Sequence, residues 1–173
     1  FAVYLVSRGY YPVLLVDGKF VSARMFWEGY QAASLYYENV RRVYSTPTAS
    51  SEALTPADIQ LSVLDQLVEN ALIHRAASEE LGNDLGGLVE SRIEKIKVDE
   101  NLQDAVRELY GMDLAGFRES ILVPQAEREI LAGRLFLKGK KLEEWLPEAR
   151  KSARVQTFSG RFRWADGKFE RLE

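Results

Sequence analysis

The sequence predicts a mainly α-helical fold of about six helices, with a small β-sheet joining strands from both ends and a C-terminal β-hairpin. Apolar residues recur at helical spacing through most of residues 22–152. Short apolar runs at 13–16 and 154–158 flank the helices. Asp-Gly, a pair typical of two-residue hairpin turns, occurs at 17–18 and 166–167. The composition, 46% apolar and 28% charged, is that of an ordinary globular protein and excludes a disordered or collagen-like chain.

The first strand and the first helix follow from local signals. The apolar run 12–16 ends at Asp-Gly, so residues 19–21 are expected to pair back onto it. Ser22 is a good N-cap for the helix that follows. In that helix, apolar side chains recur at alternating steps of four and three, which predicts one buried face: Phe26, Tyr30, Ala33, Tyr37, Val40 and Tyr44.

The remaining helices are separated by recognisable caps and breakers. Small polar residues at 45–55 predict a loop, after which Thr55-Pro56 opens the second helix and Gly82-Asn83 closes it. Asp113 caps the fifth helix, in which Pro124 should bend the chain rather than end the helix. The predicted spans after the loop are about 56–81, 86–97, 100–110, 114–137 and 141–152.

The chain ends in a predicted hairpin, in which residues 161–165 and 168–172 flank Asp166-Gly167. A two-residue turn at that position places Trp164 opposite Phe169, and Arg163 opposite Glu170. An aromatic pair on one face and a charge pair on the other are consistent with a half-buried hairpin.

The residue types present exclude several kinds of chemistry. The chain has no cysteine, so thiol catalysis, CxxC zinc sites and iron–sulfur clusters are excluded. His74 is the single histidine, and no nucleophile or orienting acid accompanies it in the sequence, so we interpret it as a structural or surface residue. The acidic pairs lie at helix starts or on polar faces. We therefore predict no enzyme activity, no catalytic residues, no cofactor and no metal.

The charges are distributed unevenly along the chain. Residues 134–173 contain 11 Lys/Arg and 6 Asp/Glu, whereas the rest of the chain is acidic. A basic end can meet nucleic acid or anionic lipid, or it can dock onto the acidic part of its own chain. The last interpretation is favoured, and nucleic acid is not a predicted partner.

Residues 1–11 are unusually apolar and aromatic for the start of a globular chain. They begin Phe-Ala-Val-Tyr-Leu-Val and end in a Tyr pair, a residue type that is common at a membrane–water boundary. Two interpretations remain open, the tail of a trimmed membrane anchor and a short buried strand. The sequence contains no run of 18–20 apolar residues such as a membrane-spanning helix needs.

Four segments, in order, resemble the peptide-binding domain of SurA-type and PrsA-type extracytoplasmic chaperones. They are an opening strand-turn at 13–22, a second helix at 64–82, a Gly-Met-Asp-Leu-Ala-Gly-Phe-Arg junction within 109–121, and a closing helix and strand at 142–155. In such chaperones a parvulin-type prolyl isomerase domain often sits before the closing helix. Here residues 137–142, Leu-Lys-Gly-Lys-Lys-Leu, leave no room for it.

The resemblance implies a chaperone-like helical domain over residues 12–158, with the hairpin 159–173 as an extension outside the matched part. It implies noncatalytic binding of unfolded or extended polypeptides outside the cytoplasmic membrane. The apolar residues 1–11 add the expectation of a membrane anchor. The alternative is a structural or assembly protein that recognises one fixed partner or associates with itself as a homo-oligomer.

Candidate peptide-binding residues come from the aromatic and methionine content. Seven of the eight tyrosines lie in residues 1–44, so the first helix has more large apolar side chains than one face can bury. Such side chains provide adaptable surface for varied peptides, although each can also serve as core. The candidates are Met25, Trp27, Tyr36, Met112 and Phe117.

Overall fold

A computed structural model of the chain describes residues 11–44, 54–96 and 100–172. It is mainly helical with two small antiparallel sheets, as predicted. The elements are β1 (Pro12–Val16), β2 (Lys19–Ser22), α1 (Ala23–Tyr44), α2 (Pro56–Leu81), α3 (Asp84–Ile93), α4 (Glu100–Tyr110), α5 (Leu114–Phe117), a π-helical segment (Arg118–Leu122), α6 (Val123–Leu137), α7 (Leu142–Ser152), β3 (Val155–Thr157), β4 (Phe162–Ala165) and β5 (Lys168–Arg171). Residues 1–10, for which an anchor tail and a buried strand are both open interpretations, and most of the predicted loop 45–55 lie outside the described residues.

A three-stranded sheet joins the two ends of the domain. Its strand order is β2-β1-β3, and Leu14 lies opposite Thr157 in the antiparallel β1–β3 pair. The predicted pairing of residues 13–16 with 154–158 is therefore confirmed. Asp17 strengthens the junction, because its backbone N–H donates to the Arg154 carbonyl at 2.9 Å and its side chain accepts from the Arg154 N–H at 2.9 Å.

Capping side chains fix the helix starts where the sequence predicts them. The Ser22 hydroxyl accepts from the Met25 N–H at 3.3 Å. At α2, the Asp58 N–H donates to the Thr55 hydroxyl at 3.3 Å and the Thr55 N–H donates to the Asp58 carboxylate at 2.8 Å, which is a complete capping box. The third helix differs from its prediction, since α3 begins at Asp84 and ends at Ile93.

The predicted single buried face of α1 is wrong at Tyr37, whose exposed fraction is 37%. The first part of α1 packs on α2, where Gly29 lets the helices approach so closely that a Cβ would lie 3.2 Å from Val63 Cγ1. The second part packs on α4 through another side of the helix, with Ala32 and Asn39 buried. Because α2 and α4 contact different sides of α1, a single stripe of apolar residues on α1 cannot face both. The side chain of Tyr44 lies outside the described part.

As predicted, the long helix continues through Pro124. A π-helical segment precedes this proline. The Val123 N–H donates to the Arg118 carbonyl five residues back, instead of four. Pro124 has no N–H to donate to Ser120, so the ladder is already interrupted there and a wider turn costs little more. The bend itself remains a prediction.

Most of the buried apolar side chains form two clusters. The first surrounds the sheet and includes Phe162 and Phe169 of the hairpin beside Leu14, while the second lies between α2, α3, α6 and α7. The hairpin has the predicted register: the rings of Trp164 and Phe169 are 4.9 Å apart, and Arg163 pairs with Glu170 at 2.8 Å.

Candidate peptide-binding surface

Four aromatic rings from three helices form a continuous row on the surface. Tyr37 and Tyr36 on α1 are 5.9 Å apart, Tyr36 stacks on Tyr110 of α4 at 5.6 Å, and Tyr110 contacts Phe117 of α5 at 5.5 Å. These four residues are called the aromatic row below. None of them is fully buried, so each ring keeps an accessible portion.

Local structure around the row holds α1 against α4. The buried Asn39 side chain donates to the Glu108 carbonyl at 2.9 Å. Gly111 then ends α4 at a positive φ of 67°, which a residue with a side chain adopts reluctantly. Asp113 caps α5 by accepting from the Gly116 N–H at 2.7 Å. These bonds position Tyr110 and Phe117 against Tyr36 without relying on the rings themselves.

The row is electrically neutral at ordinary pH. Burial raises the pKa of the Tyr110 phenol, and the neighbouring Tyr36 raises it further. Tyr110 therefore stays protonated in the folded chain well above neutral pH. Its surface is suited to apolar and aromatic groups rather than to ions.

The five residues predicted from the sequence do not share one surface. Tyr36 and Phe117 belong to the aromatic row, and Met112 lies beside α5, with its Cβ 3.6 Å from where a Cβ on Gly116 would be. Trp27 precedes Tyr36 by nine residues and so lies about 180° around α1 from it. It packs instead against Phe26 and Tyr30, at 5.2 and 5.8 Å. Met25 is exposed on the same side of α1 as Tyr36, about 16 Å away.

Sequence reasoning missed two further surface features of the molecule. Tyr110 connects Tyr36 to Phe117, yet it was assigned only to the predicted fourth helix. Phe136 and Leu137, at the end of α6, are exposed. A signal for the second was available, because three consecutive apolar residues at 135–137 cannot all lie on one buried face of a helix.

A charged network lies on another part of the molecule and ties the hairpin to the helices. Arg150 donates to Glu69 at 2.6 Å, to Asp65, and to the Gly167 carbonyl at 2.8 Å. Arg128 reaches the second oxygen of Glu69 at 2.7 Å. Burial raises the pKa of the Asp65 carboxyl, and Arg150 opposes that rise. These charged side chains therefore pair with one another within the fold, which indicates a structural role for them.

His74 also has a structural partner. Its Nδ1 lies 2.8 Å from Oε1 of Glu127, a carboxylate that is only 7% exposed, between α2 and α6. Within the described ranges, no group of three or more His, Cys, Asp or Glu residues could hold a metal ion. None of the helices in those ranges is long and apolar enough to cross a membrane.

Comparisons of the chain with known protein families, with curated proteins and with solved structures found no match.

Proposed function

We propose that the chain binds unfolded or extended polypeptide segments without catalysis, and that the aromatic row is its binding surface. The carrying observation is the row itself, four partly exposed rings in contact at successive spacings of 5.9, 5.6 and 5.5 Å. These spacings limit the length of the row to about 17 Å at most, the length of about five residues of extended chain. Client side chains would stack on the rings in place of water.

The resemblance to SurA-type and PrsA-type chaperones supports the same proposal, as does the helical architecture with a sheet joining both ends. It also supports an extracytoplasmic location. The apolar residues 1–11 support a membrane anchor, which remains part of the proposal. Binding should be weak, because ordering a flexible client offsets much of the free energy gained by burying a few rings.

The decisive test is suppression of aggregation of a denatured client by the purified chain. We expect suppression at a few-fold molar excess, together with binding to many unrelated apolar peptides on an array. Tyr36→Ser should raise the concentration needed by several-fold, since one ring of the row is lost. Phe20→Ser, which removes from β2 a ring that is more exposed than that of Tyr36, is the control and should leave suppression unchanged. Trp27→Ser shows whether the opposite side of α1 also binds.

Prolyl isomerisation of a model peptide should not be accelerated. The support for this is the direct connection at 137–142, which leaves no room for an isomerase domain. Acceleration that is lost on a point substitution would overturn the noncatalytic part of the proposal. If no denatured client is protected and one folded partner binds tightly, the chain is an assembly protein instead.

A further inference from the structure

At the end of α6, two exposed apolar side chains are flanked in the sequence by basic residues. Phe136 and Leu137 are 76% and 77% exposed, the largest fractions among the big apolar side chains of the described residues. Leu135, directly before them, is buried in the second core cluster. Its burial fixes the rotation of α6 and so forces the next two side chains outward. Residues 134–141 are called the basic tip below.

The charged residues that neighbour this apolar pair in the sequence are all basic. Residues 130–142 contain Arg134, Lys138, Lys140 and Lys141 and no acidic residue. Lys138 reaches Glu80, whereas Lys141 is loosely placed at 3.9 Å from Glu144. Lys95, in the turn after α3, adds a further basic residue to the shallow groove of about 440 Å³ that adjoins Phe136 and Leu137.

Two carbonyls of the tip already have hydrogen-bond partners within it. The Leu135 carbonyl accepts from the N–H groups of Lys138 and Lys140, each at 2.9 Å, and the Phe136 carbonyl accepts from the Gly139 N–H at 3.0 Å. Entry into an apolar medium therefore does not strand these two carbonyls without partners.

We propose that the basic tip is a membrane-contact site for anionic bilayers. Phe136 and Leu137 insert at the boundary between headgroups and acyl chains, while Lys140, Lys141 and Arg134 contact anionic headgroups. The form of this surface disfavours a protein partner, because it offers two protruding apolar side chains rather than an apolar groove. The two most exposed side chains stand outward, whereas the adjoining groove is lined by the polar side chains of Ser91, Arg92 and Glu129 as well as by apolar ones.

The site would act together with any other membrane attachment. One small apolar insertion with a few lysines binds reversibly, and two such signals on one chain are needed for stable residence. The site therefore sets how the domain is oriented on a surface, rather than whether the chain spans a bilayer.

The test is sedimentation of the 173-residue chain with vesicles of phosphatidylcholine, with or without roughly 30 mol % phosphatidylglycerol. We expect binding only to the anionic vesicles, with strong loss at high salt. Phe136→Ser combined with Leu137→Ser should lower the partition coefficient about tenfold or more. Lys140→Gln combined with Lys141→Gln should do the same, since each lysine near an anionic surface contributes roughly fivefold. Phe20→Ser combined with Phe158→Ser removes two exposed rings elsewhere and should change nothing.

Because the chain has no cysteine, a single Leu137→Cys substitution allows an environment-sensitive fluorophore to be placed at the tip. Its emission should shift to the blue on anionic vesicles, and the same label at Phe20→Cys should not respond. Absence of binding to anionic vesicles at low salt would overturn the proposal. So would equal binding by the tip variants, or a loss of affinity for a poly-glutamate peptide in those variants with unchanged vesicle binding, which would indicate an acidic protein partner.

Discussion

Arg150 shows how one side chain can hold separate parts of this fold together. Its guanidinium contacts two carboxylates of α2 and the turn carbonyl of the C-terminal hairpin, and lies 5.4 Å from the Trp164 ring. The Arg150 side chain is only 17% exposed, so its pairs are less screened by water than those on the surface. Arginine suits this position because its planar fork can donate in several fixed directions at once.

Arg150→Met should lower the free energy of unfolding by about 2 kcal/mol, measured by urea denaturation at pH 7. The substitution keeps the apolar stem but leaves Asp65 and Glu69 without their main partner, a loss smaller than for fully buried pairs. Arg163→Met is the control, because its pair with Glu170 is exposed and should contribute less than about 1 kcal/mol. Equal effects of the two substitutions would contradict the importance assigned to the network.

The loss in free energy of unfolding caused by Arg150→Met should depend on pH. Burial raises the pKa of Asp65 above 3.8, so protonation of this group favours the folded state. The stability that it contributes is present below that value and is lost as the pH rises through the raised pKa. Without Arg150, the charged form is less favourable still. The deficit of Arg150→Met relative to the original chain should therefore shrink as the pH falls from 7 toward 4.

Asp58 should show the opposite pH dependence. Hydrogen bonds from the Thr55 hydroxyl and N–H lower the pKa of this exposed carboxyl. Its contribution to stability is thus present above 3.8 and lost as the pH falls through the lowered pKa. The difference in urea-denaturation midpoint between the original chain and Asp58→Ala should accordingly be larger at pH 7 than at pH 3. A constant difference would mean that the capping box contributes nothing through its charge.

At the scale of helices and strands, the sequence predicted what local interactions decide. The cap at Thr55, the Asp-Gly turns and the hairpin register depend on residues only a few positions apart, so their signals are visible in order along the chain. The exposed Tyr37 was mispredicted because the face of α1 is set by two distant helices. The Tyr36–Tyr110–Phe117 contacts likewise join residues that are far apart in sequence, so only two of these three were identified as candidates.

The hairpin provides a prediction at this scale. Deleting residues 159–173 should destabilise the whole domain rather than remove an independent extension. Phe162 and Phe169 are buried in the first core cluster, and Arg150 loses its acceptor at Gly167. Removing two buried rings exposes the apolar surface of α2 and typically costs several kcal/mol. The check is the urea midpoint together with binding of an apolar dye, and an unchanged midpoint would refute the prediction.

On the scale of the whole molecule, the two proposed surfaces are separated by the length of one helical segment. Phe117 stands at its start and Phe136 near its end, and 19 residues of helix extend at most about 28 Å. The surfaces also differ in chemistry, since the aromatic row is neutral and the basic tip carries several lysines. A client held at one end would therefore leave the other end accessible to a bilayer.

This separation predicts that the two binding activities respond independently to salt and to substitution. Raising the salt concentration from about 0.05 to 0.5 M shortens the screening length severalfold, so vesicle binding at the tip should fall steeply. Peptide binding at the neutral row should change little, because burial of apolar area dominates it. Phe136→Ser combined with Leu137→Ser should lower vesicle binding about tenfold or more and leave aggregation suppression intact. Tyr36→Ser should weaken aggregation suppression several-fold and leave vesicle binding intact. Parallel loss of both activities in either variant, with unchanged thermal stability, would show that the row and the tip form one surface.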